Sequence, residues 1–303
     1  MHGALCEQFL GEGQTMMLRP ISIFVALFVS LASASAQGQF PPESRLKSIA
    51  DSQTIRVANR TDATPFAFVS DKGDPVGFSI DLCQLVVKSI AQQLGLQDLK
   101  IQWVPVTVQT RFSTITGNRA DMECGSSTMT LGRMKEVDFS NIIFAESTGV
   151  VVSLASKIQL FAEMTGKKIA VIAGTTNEQA IRDQSDQHHL NIVVVSVKDR
   201  DEGIGALESG KVDGYASDKL LLVGTQTKHP EALFMLPDDL SIEAYAITLP
   251  RGDWALRLAV NTGLAQIYRS GAIAVVFKRW FDQLGLKPGL LTEAAYALGG
   301  LAD

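Results

Sequence analysis

The chain has 303 residues, of which 46% are hydrophobic and 19% charged, and its 27 Lys and Arg against 32 Asp and Glu leave a formal net charge of −5. This length predicts two domains of ordinary size, and the absence of polar low-complexity tracts disfavours a disordered chain. The mild acidic excess leaves no basic stripe for phosphate backbones, so nucleic acid is not an expected partner.

The N-terminal region predicts a secretory signal. An apolar run from Ile21 to Leu31 follows Arg19 and precedes the small residues Ala34-Ser35-Ala36. The run is shorter than the roughly 20 apolar residues that span a bilayer, and signal peptidase selects small residues just before its cleavage point. We therefore expect residues 1–36 to be a signal peptide that is cleaved from a periplasmic protein. An uncleaved membrane anchor is the alternative.

The first half of the remaining chain alternates between strand and helix patterns. A strand surrounds Val57, residues 71–75 form a turn, and apolar residues at three- and four-residue steps behind Ser79 predict a helix with Ser79 as N-cap. The elements that follow are strand 101–106, helix 109–116 and strand 120–124. This order is typical of a largely parallel sheet with helices on its faces.

A second set of the same kind begins near Gly166 and predicts a second lobe. Its elements are strand 168–172, helix 176–183, strand 191–197, helix 201–209 and strand 212–216. Strand 242–249 and the amphipathic helices 254–270 and 273–284 come afterwards. If that strand returns to the first lobe, two crossings near residues 147–151 and 241–244 form a hinge. A simple tandem arrangement of two lobes is also permitted.

Candidate binding residues stand where the predicted strands end, because ligands of open α/β sheets lie beyond the carboxyl ends of the strands. These positions are rich in guanidinium and hydroxyl groups and include aspartate: Arg60, Arg111, Ser126, Ser127, Thr128, Arg133, Gly174, Thr175, Thr176, Asp199, Arg200 and Asp218. Guanidinium groups are fixed forks that match carboxylates. An amino acid with an acidic side chain needs this inventory, with arginines for its two carboxylates and an aspartate for its ammonium.

At these positions the chain resembles the family-3 extracellular solute-binding proteins, and within them the glutamate/aspartate-binding component of an ABC importer. The resemblance covers about residues 45 to 285 in unbroken order. Its motifs are Asn59 to Phe66, Val106 to Phe112, Asp121 to Thr128 with Arg133, Val137 to Ser140, Ala173 to Glu178, Lys198 to Arg200, and Leu207 to Lys211 ahead of Asp218.

The resemblance implies an α/β protein of the two-lobed, type II periplasmic-binding-protein fold, in which each lobe is a mostly parallel sheet flanked by helices. Residues 41–147 and 244–303 are then expected to form lobe 1, and residues 148–243 an inserted lobe 2, joined by a two-segment hinge. Carried over by position, Arg133 with Ser126, Thr128 and Thr176 is expected to hold the α-carboxylate, Asp218 the ammonium, and Arg60 with Arg111 the side-chain carboxylate.

Two positions depart from the pattern of members with acidic ligands. Val108 stands where a serine is frequent, and Arg200, also a candidate ligand residue, stands where a histidine is common. The first change removes a hydroxyl group and the second adds a permanent charge. Acidic specificity is still expected, while the preference between glutamate and aspartate stays open.

Cys83 and Cys124 remain once the signal segment, with Cys6, is removed. In an oxidising compartment this pair predicts one disulfide bond. Two buried free thiols are the alternative.

The expected protein is a monomeric receptor that captures glutamate or aspartate by hinge closure and delivers it to an inner-membrane ABC permease. Neither a cofactor nor a metal ion nor a catalytic activity is expected. One alternative is a dehydratase-type enzyme on the same scaffold, for which Glu123 and Asp218 are the candidate acids or bases. Another is a receptor for a different polar amino acid such as glutamine.

Overall fold

The computed structural model describes residues 40–228 and 230–302, so the expected signal peptide lies outside the described residues. The strands are β1 (Thr54–Arg60), β2 (Asp62–Ala63), β3 (Ala67–Val69), β4 (Pro75–Val76), β5 (Lys100–Val106), β6 (Met122–Cys124), β7 (Val137–Glu146), β8 (Thr148–Ser153), β9 (Lys168–Ile172), β10 (Val193–Val197), β11 (Gly214–Asp218), β12 (Leu233–Met235) and β13 (Glu243–Pro250). The helices are α1 (Arg45–Ser52), α2 (Phe78–Gln93), α3 (Arg111–Thr116), α4 (Thr176–Gln187), α5 (Arg200–Glu208), α6 (Lys219–Lys228), α7 (Trp254–Arg269), α8 (Ala272–Phe281) and α9 (Leu290–Gly299). None of the helices described is both long and apolar enough to cross a membrane.

Ten of these strands form two five-stranded sheets with the orders β5-β1-β6-β13-β7 and β10-β9-β11-β8-β12. In the first sheet β1 pairs in parallel with β5 and β6, and β13 runs antiparallel to both β6 and β7. In the second sheet β9 pairs in parallel with β10 and β11, and β8 runs antiparallel to β11 and β12. Four strands of each sheet therefore share one direction, which confirms the prediction of two mostly parallel α/β lobes.

The reversed strand of each sheet is the one that follows a crossing between the sheets. Only Ser147 separates β7 of the first sheet from β8 of the second. The chain returns between Met235 and Glu243, where β12 ends and β13 begins. The first sheet is thus left once and rejoined once, as an inserted lobe requires. We propose that the lobes meet at these crossings, with bounds at residues 147/148 and 243/244.

The start of α2 differs from the sequence prediction. The N-cap is Gly77 rather than Ser79, and the helix begins at Phe78. Gly77 has φ 136°, and a Cβ there would lie 2.2 Å from the Phe66 backbone oxygen, so this entry to the helix requires glycine. Ser79 instead donates its hydroxyl to the Gly125 backbone oxygen at 2.7 Å, which ties α2 to the loop after β6.

Sequence patterns missed several elements that the structure contains. Helices α1, α6 and α9 and strands β7, β8 and β12 had not been predicted as such. Strand β8 is a short apolar run that is buried along nearly its whole length, and such runs carry no period that separates a strand from a buried helix. The predicted hinge segment at residues 147–151 is therefore mostly strand.

The core of lobe 1 is aromatic. Six rings pack in contact on one face of its sheet, several of them edge to face: Phe66, Phe78, Phe144, Tyr245, Phe277 and Phe281. Apolar contact crosses between the lobes, because Leu220 and Leu221 of α6 pack with this core. In the other direction Val108, after β5, packs against a core cluster of lobe 2. The lobes are thus closed on each other.

A disulfide bond joins Cys83 of α2 to Cys124 of β6, 41 residues apart in the chain. Both cysteines are fully buried in the lobe 1 core. The bond therefore holds the helix on the strand that leads into the loop carrying Ser126 and Thr128.

We expect the double variant Cys83→Ala with Cys124→Ala to lose about 4 kcal/mol of unfolding free energy, the chain-entropy value for a loop of this length. Chemical denaturation with and without a reductant measures the loss. The reductant should destabilise the wild type and leave the double variant unchanged. Equal stability of oxidised and reduced wild type would contradict this role of the bond.

Candidate functional site

The sequence-predicted binding residues meet between the two sheets. Of the twelve candidates, eight were expected to contact the ligand, and seven of those eight line one cavity to which both lobes contribute: Arg60, Arg111, Ser126, Thr128, Thr176, Arg200 and Asp218. The eighth, Arg133, lies beside it, with Nη1 donating to the Thr128 backbone oxygen at 2.7 Å and Nη2 to the Gly174 backbone oxygen at 3.5 Å. Strand ends that are far apart in sequence are therefore brought together as expected.

The cleft is shut in this conformation. The cavity has a volume of about 20 Å³, little more than the roughly 10 to 15 Å³ that one water molecule requires. Outside the cavity lining, Gln109 of lobe 1 donates to the Lys198 backbone oxygen of lobe 2 at 3.1 Å, a direct hydrogen bond between the lobes. A solute as large as an amino acid can enter only if the lobes or the lining side chains move.

Two of the four arginines of the site are held by the protein itself. Arg60 is buried, and its Nε donates to Asp62 Oδ1 at 2.7 Å. Although burial opposes the shift, the hydrogen bond and charge of Arg60, together with the charge of Arg200, hold the pKa of Asp62 below its usual range. Arg200 donates through Nη1 to the Leu221 backbone oxygen at 3.1 Å.

The other two arginines, Arg111 and Arg133, share one aromatic ring. Their guanidinium carbons lie 4.8 Å and 5.2 Å from the ring centroid of Phe112. Among the described residues no carboxylate lies within ion-pair distance of either, and the buried Nε of Arg111 has no hydrogen-bond partner. Burial, and then the charge of Arg133, lower the pKa of Arg111 to about 9. Because a guanidinium group keeps its proton at neutral pH, the site holds two charged arginines with no carboxylate in contact among the described residues.

Asp218, at the end of β11, is the carboxylate of the cavity wall. It is 6% exposed, and its Oδ1 accepts from Asn177 Nδ2 at 2.7 Å. Burial, and then the charge of Glu243, raise the pKa of Asp218 to about 6. Among the residues that the structure describes, no lysine or arginine lies within ion-pair distance of Asp218. The carboxylate is therefore suited to an ammonium group, whose charge would favour its ionised form.

Sequence reasoning missed Glu243, the first residue of β13. Its Oε2 accepts from the hydroxyls of Thr128 at 2.6 Å and Thr176 at 2.5 Å. The N-cap of α4 is Thr175, the residue before Thr176, and its hydroxyl accepts from the Glu178 amide. An acidic residue in an otherwise apolar strand was a signal for Glu243, but burial between both lobes is not visible in a sequence.

Glu123, a candidate acid or base for the enzyme alternative, lies behind the site. It is fully buried and absent from the cavity lining. Its Oε2 accepts from the hydroxyls of Ser127 at 2.7 Å and Thr248 at 2.8 Å. A Cβ on Gly125 would lie 2.3 Å from its Oε1, so the glycine lets the binding loop pass closely over this carboxylate.

Two lobes that close on a double crossing, over a charged cavity between strand ends, define a receptor for a small solute. The chain belongs to the bacterial extracellular solute-binding proteins, family 3, whose sequence model matches residues 55–283.

Individual relatives agree with this family. The chain is similar to the L-glutamate/L-aspartate-binding protein of Pseudomonas aeruginosa, with 30% identity over 271 residues, 88% of this chain and 89% of that protein. It is likewise 30% identical over 270 residues to the glutamate/aspartate import solute-binding protein of Escherichia coli, with the same coverage of 88% and 89%. Among solved structures it resembles an ancestral amino acid-binding protein described as a precursor of cyclohexadienyl dehydratase, with a TM-score of 0.67, 27% identity, and coverage of 78% of this chain and 100% of that one.

We expect Asp218→Asn to stabilise the ligand-free protein at pH 7. The pKa of Asp218 is about 6 in the folded protein and near 4 in the unfolded chain. The stability that Asp218 contributes is therefore fully present below about pH 4, where both states are protonated, and is lost as the pH rises through about 6. A shift of this size corresponds to a gain of at most about 3 kcal/mol for the variant. Urea denaturation from pH 4 to pH 8 measures the difference, which should shrink towards pH 4.

The surface variant Asp239→Asn is the control for this measurement. Hydrogen bonds from Lys219 and Ser147 lower the pKa of Asp239, so its loss should bring no stabilisation at pH 7. A difference between Asp218→Asn and wild type that does not depend on pH would contradict the expectation.

Proposed function

We propose that this protein captures an acidic amino acid, glutamate or aspartate, in the closed cleft and delivers it to an ABC permease. The observation that carries the proposal is the pair of guanidinium groups on Arg111 and Arg133, neither of which has a carboxylate in contact within the described chain. Asp218 lies in the same cavity wall as Arg111. A ligand with two carboxylates and one ammonium supplies an opposite charge to each of the three.

Each end of the ligand has a distinct partner in this proposal. Arg133, with Ser126, holds the α-carboxylate, because Arg133 reaches backbone atoms of both lobes. Asp218 holds the ammonium group. Arg111 receives the side-chain carboxylate, while Arg60, already bonded to Asp62, adds positive charge nearby. Arg200 adds a further positive charge on the lobe 2 side.

The relatives support the choice of an acidic ligand. The proteins of Pseudomonas aeruginosa and Escherichia coli named above carry glutamate and aspartate in their names, and the second is named as part of an importer. Both match most of this chain. Delivery to a permease, a periplasmic location after cleavage of residues 1–36, and a monomeric state belong to the same proposal, as does hinge motion at the two crossings.

An enzymatic function on this scaffold has less support. General acid or base catalysis needs a titrating group that reaches the reacting atoms. Glu123 lies behind the loop that carries Ser126 and Thr128, and its Oε2 already accepts hydrogen bonds from two hydroxyls. Asp218 does line the cavity, but the Asn177 amide that donates to it is neutral. The negative charge of Asp218 can therefore pair with an ammonium group. Glutamine remains the alternative ligand to compare, because it lacks only the second charge.

Glutamate or aspartate should bind with a dissociation constant that is micromolar or lower, because each charged end meets an opposite charge in a closed cleft of low dielectric. Calorimetric titration of the purified protein with a panel of amino acids, including glutamine, arginine and leucine, measures this. Arginine and leucine serve as controls of opposite and absent side-chain charge. Binding of either control in preference to both acids would contradict the proposal.

Arg133→Ala should weaken every amino-acid ligand, whereas Arg111→Ala should weaken glutamate far more than glutamine. Arg133 binds the α-carboxylate that all amino-acid ligands share, whereas Arg111 binds only the carboxylate on the side chain of the ligand. Each loss should be about 2 to 5 kcal/mol, the scale for removing one half of a buried charge pair. Titration of both variants with glutamate and glutamine tests the division, and equal losses for the two ligands in Arg111→Ala would contradict it.

A further inference from the structure

We infer that Glu243 is a positioning residue that turns the hydroxyls of Thr128 and Thr176 into acceptors for the ammonium group of the ligand. The inference rests on the proposed function only in requiring an amino-acid ligand. It gives the two hydroxyls a role different from the one expected from the sequence, in which they held the α-carboxylate.

Glu243 is 1% exposed and is surrounded by hydroxyl groups. Oε2 accepts from Thr128 and Thr176, and Oε1 accepts from Ser241 Oγ at 2.6 Å and Thr148 Oγ1 at 3.2 Å. Within the described chain no lysine or arginine lies within ion-pair distance of it. Four hydroxyl donors, rather than a cation, therefore satisfy this carboxylate.

The proton count fixes the direction of each bond. An ionised carboxylate only accepts hydrogen bonds, and a hydroxyl group has one proton to donate. Thr128 and Thr176 therefore donate their hydroxyl protons to Glu243 and cannot donate to a ligand carboxylate. Their remaining capacity is for accepting, and both line the cavity.

An ammonium group is the complementary ligand group, because it has three donor protons and no acceptor. The acceptors of the wall include the two threonine hydroxyls and the Asp218 carboxylate. Asn177 connects them, since its Nδ2 donates to Asp218 Oδ1 at 2.7 Å and to Thr148 Oγ1, a neighbour of Glu243, at 2.8 Å. The α-carboxylate is then left to Arg133 and Ser126.

The same contacts tie this orientation to closure of the cleft. Thr128 follows β6 in lobe 1, Thr176 begins α4 in lobe 2, and Thr148 and Ser241 lie at the two crossings. Glu243 can bind all four only when the lobes are together. The ammonium site is thus complete only in the closed conformation.

The central experiment compares wild type with Glu243→Gln. The amide has one accepting oxygen and one donating nitrogen, so it cannot accept on both sides, and at least one threonine hydroxyl is released or reversed. Titrations use L-glutamate and glutarate, which has the same two carboxylates and no ammonium. We expect Glu243→Gln to weaken L-glutamate about 10- to 100-fold, the scale of hydrogen bonds to a charged group, and to change glutarate little.

Glu123→Gln is the matched control. It removes the same charge from another fully buried glutamate of the first sheet, which also accepts from two hydroxyls, yet it touches neither threonine. If only the lost charge mattered, both variants would discriminate between L-glutamate and glutarate to the same degree. We expect the discrimination in Glu243→Gln alone.

A double-mutant cycle with Thr128→Val supports the comparison. The Thr128→Val substitution should weaken the binding of L-glutamate in the wild type and weaken it less in the Glu243→Gln background, where the hydroxyl has already lost its orientation.

If Glu243→Gln does not fold, Thr128→Val and Thr176→Val are titrated with the same two ligands, and loss confined to L-glutamate is expected. If glutarate binds too weakly to titrate, the coupling measured with L-glutamate decides.

Equal losses for L-glutamate and glutarate, or additive effects in the cycle, would overturn the inference. A wild type that binds no amino acid would overturn the proposed function instead. A wild type that binds a different amino acid would correct the proposed ligand, and the comparison then uses that amino acid and its analogue without the ammonium group.

Discussion

The constraint on which the cleft depends is positive charge that is wholly or partly buried and that, among the described residues, has no carboxylate in contact. Arg111 and Arg133 lie over one ring, Phe112, and burial lowers the pKa of Arg111 to about 9. A direct ion pair with a neighbouring glutamate would relieve this cost. It would also remove the groups that a ligand needs. The protein instead supplies hydroxyl donors to Oε2 of Glu123 and to both carboxylate oxygens of Glu243. Neither carboxylate forms an ion pair with an arginine among the described residues, although the buried Oε1 of Glu123 has no hydrogen-bond partner there.

The hinge and the site share the same residues. Each sheet receives its reversed strand from a crossing, and Glu243, at the boundary between the lobes, is the first residue of β13, the reversed strand of the first sheet. Its side chain reaches Thr176 of lobe 2, so the geometry of the crossing and that of the cavity cannot change independently. This arrangement gives a physical route by which closure and solute recognition are one event.

The two departures from the pattern of acidic-ligand members have different structural consequences. Val108 packs against a core cluster of lobe 2, so the position that loses a hydroxyl gains an apolar contact across the cleft. Arg200 donates to a backbone oxygen of α6 and contributes to holding the pKa of Asp62 low. Both residues therefore act on the closed state of the lobes as well as on the composition of the cavity wall.

The sequence by itself determined the two α/β sets and the strand-end residues that line the cavity, because periodicity and strand ends are local features of a chain. The sequence also predicted one possible disulfide bond, between Cys83 and Cys124. Only the tertiary structure decided which arginines have no carboxylate in contact within the described part of the chain, and which strand of each sheet is reversed. It also decided that Glu243 belongs to the site. Glu243 binds Thr128 and Thr176 across 115 and 67 residues of chain. No local pattern encodes such contacts, since they exist only once both lobes have folded and closed.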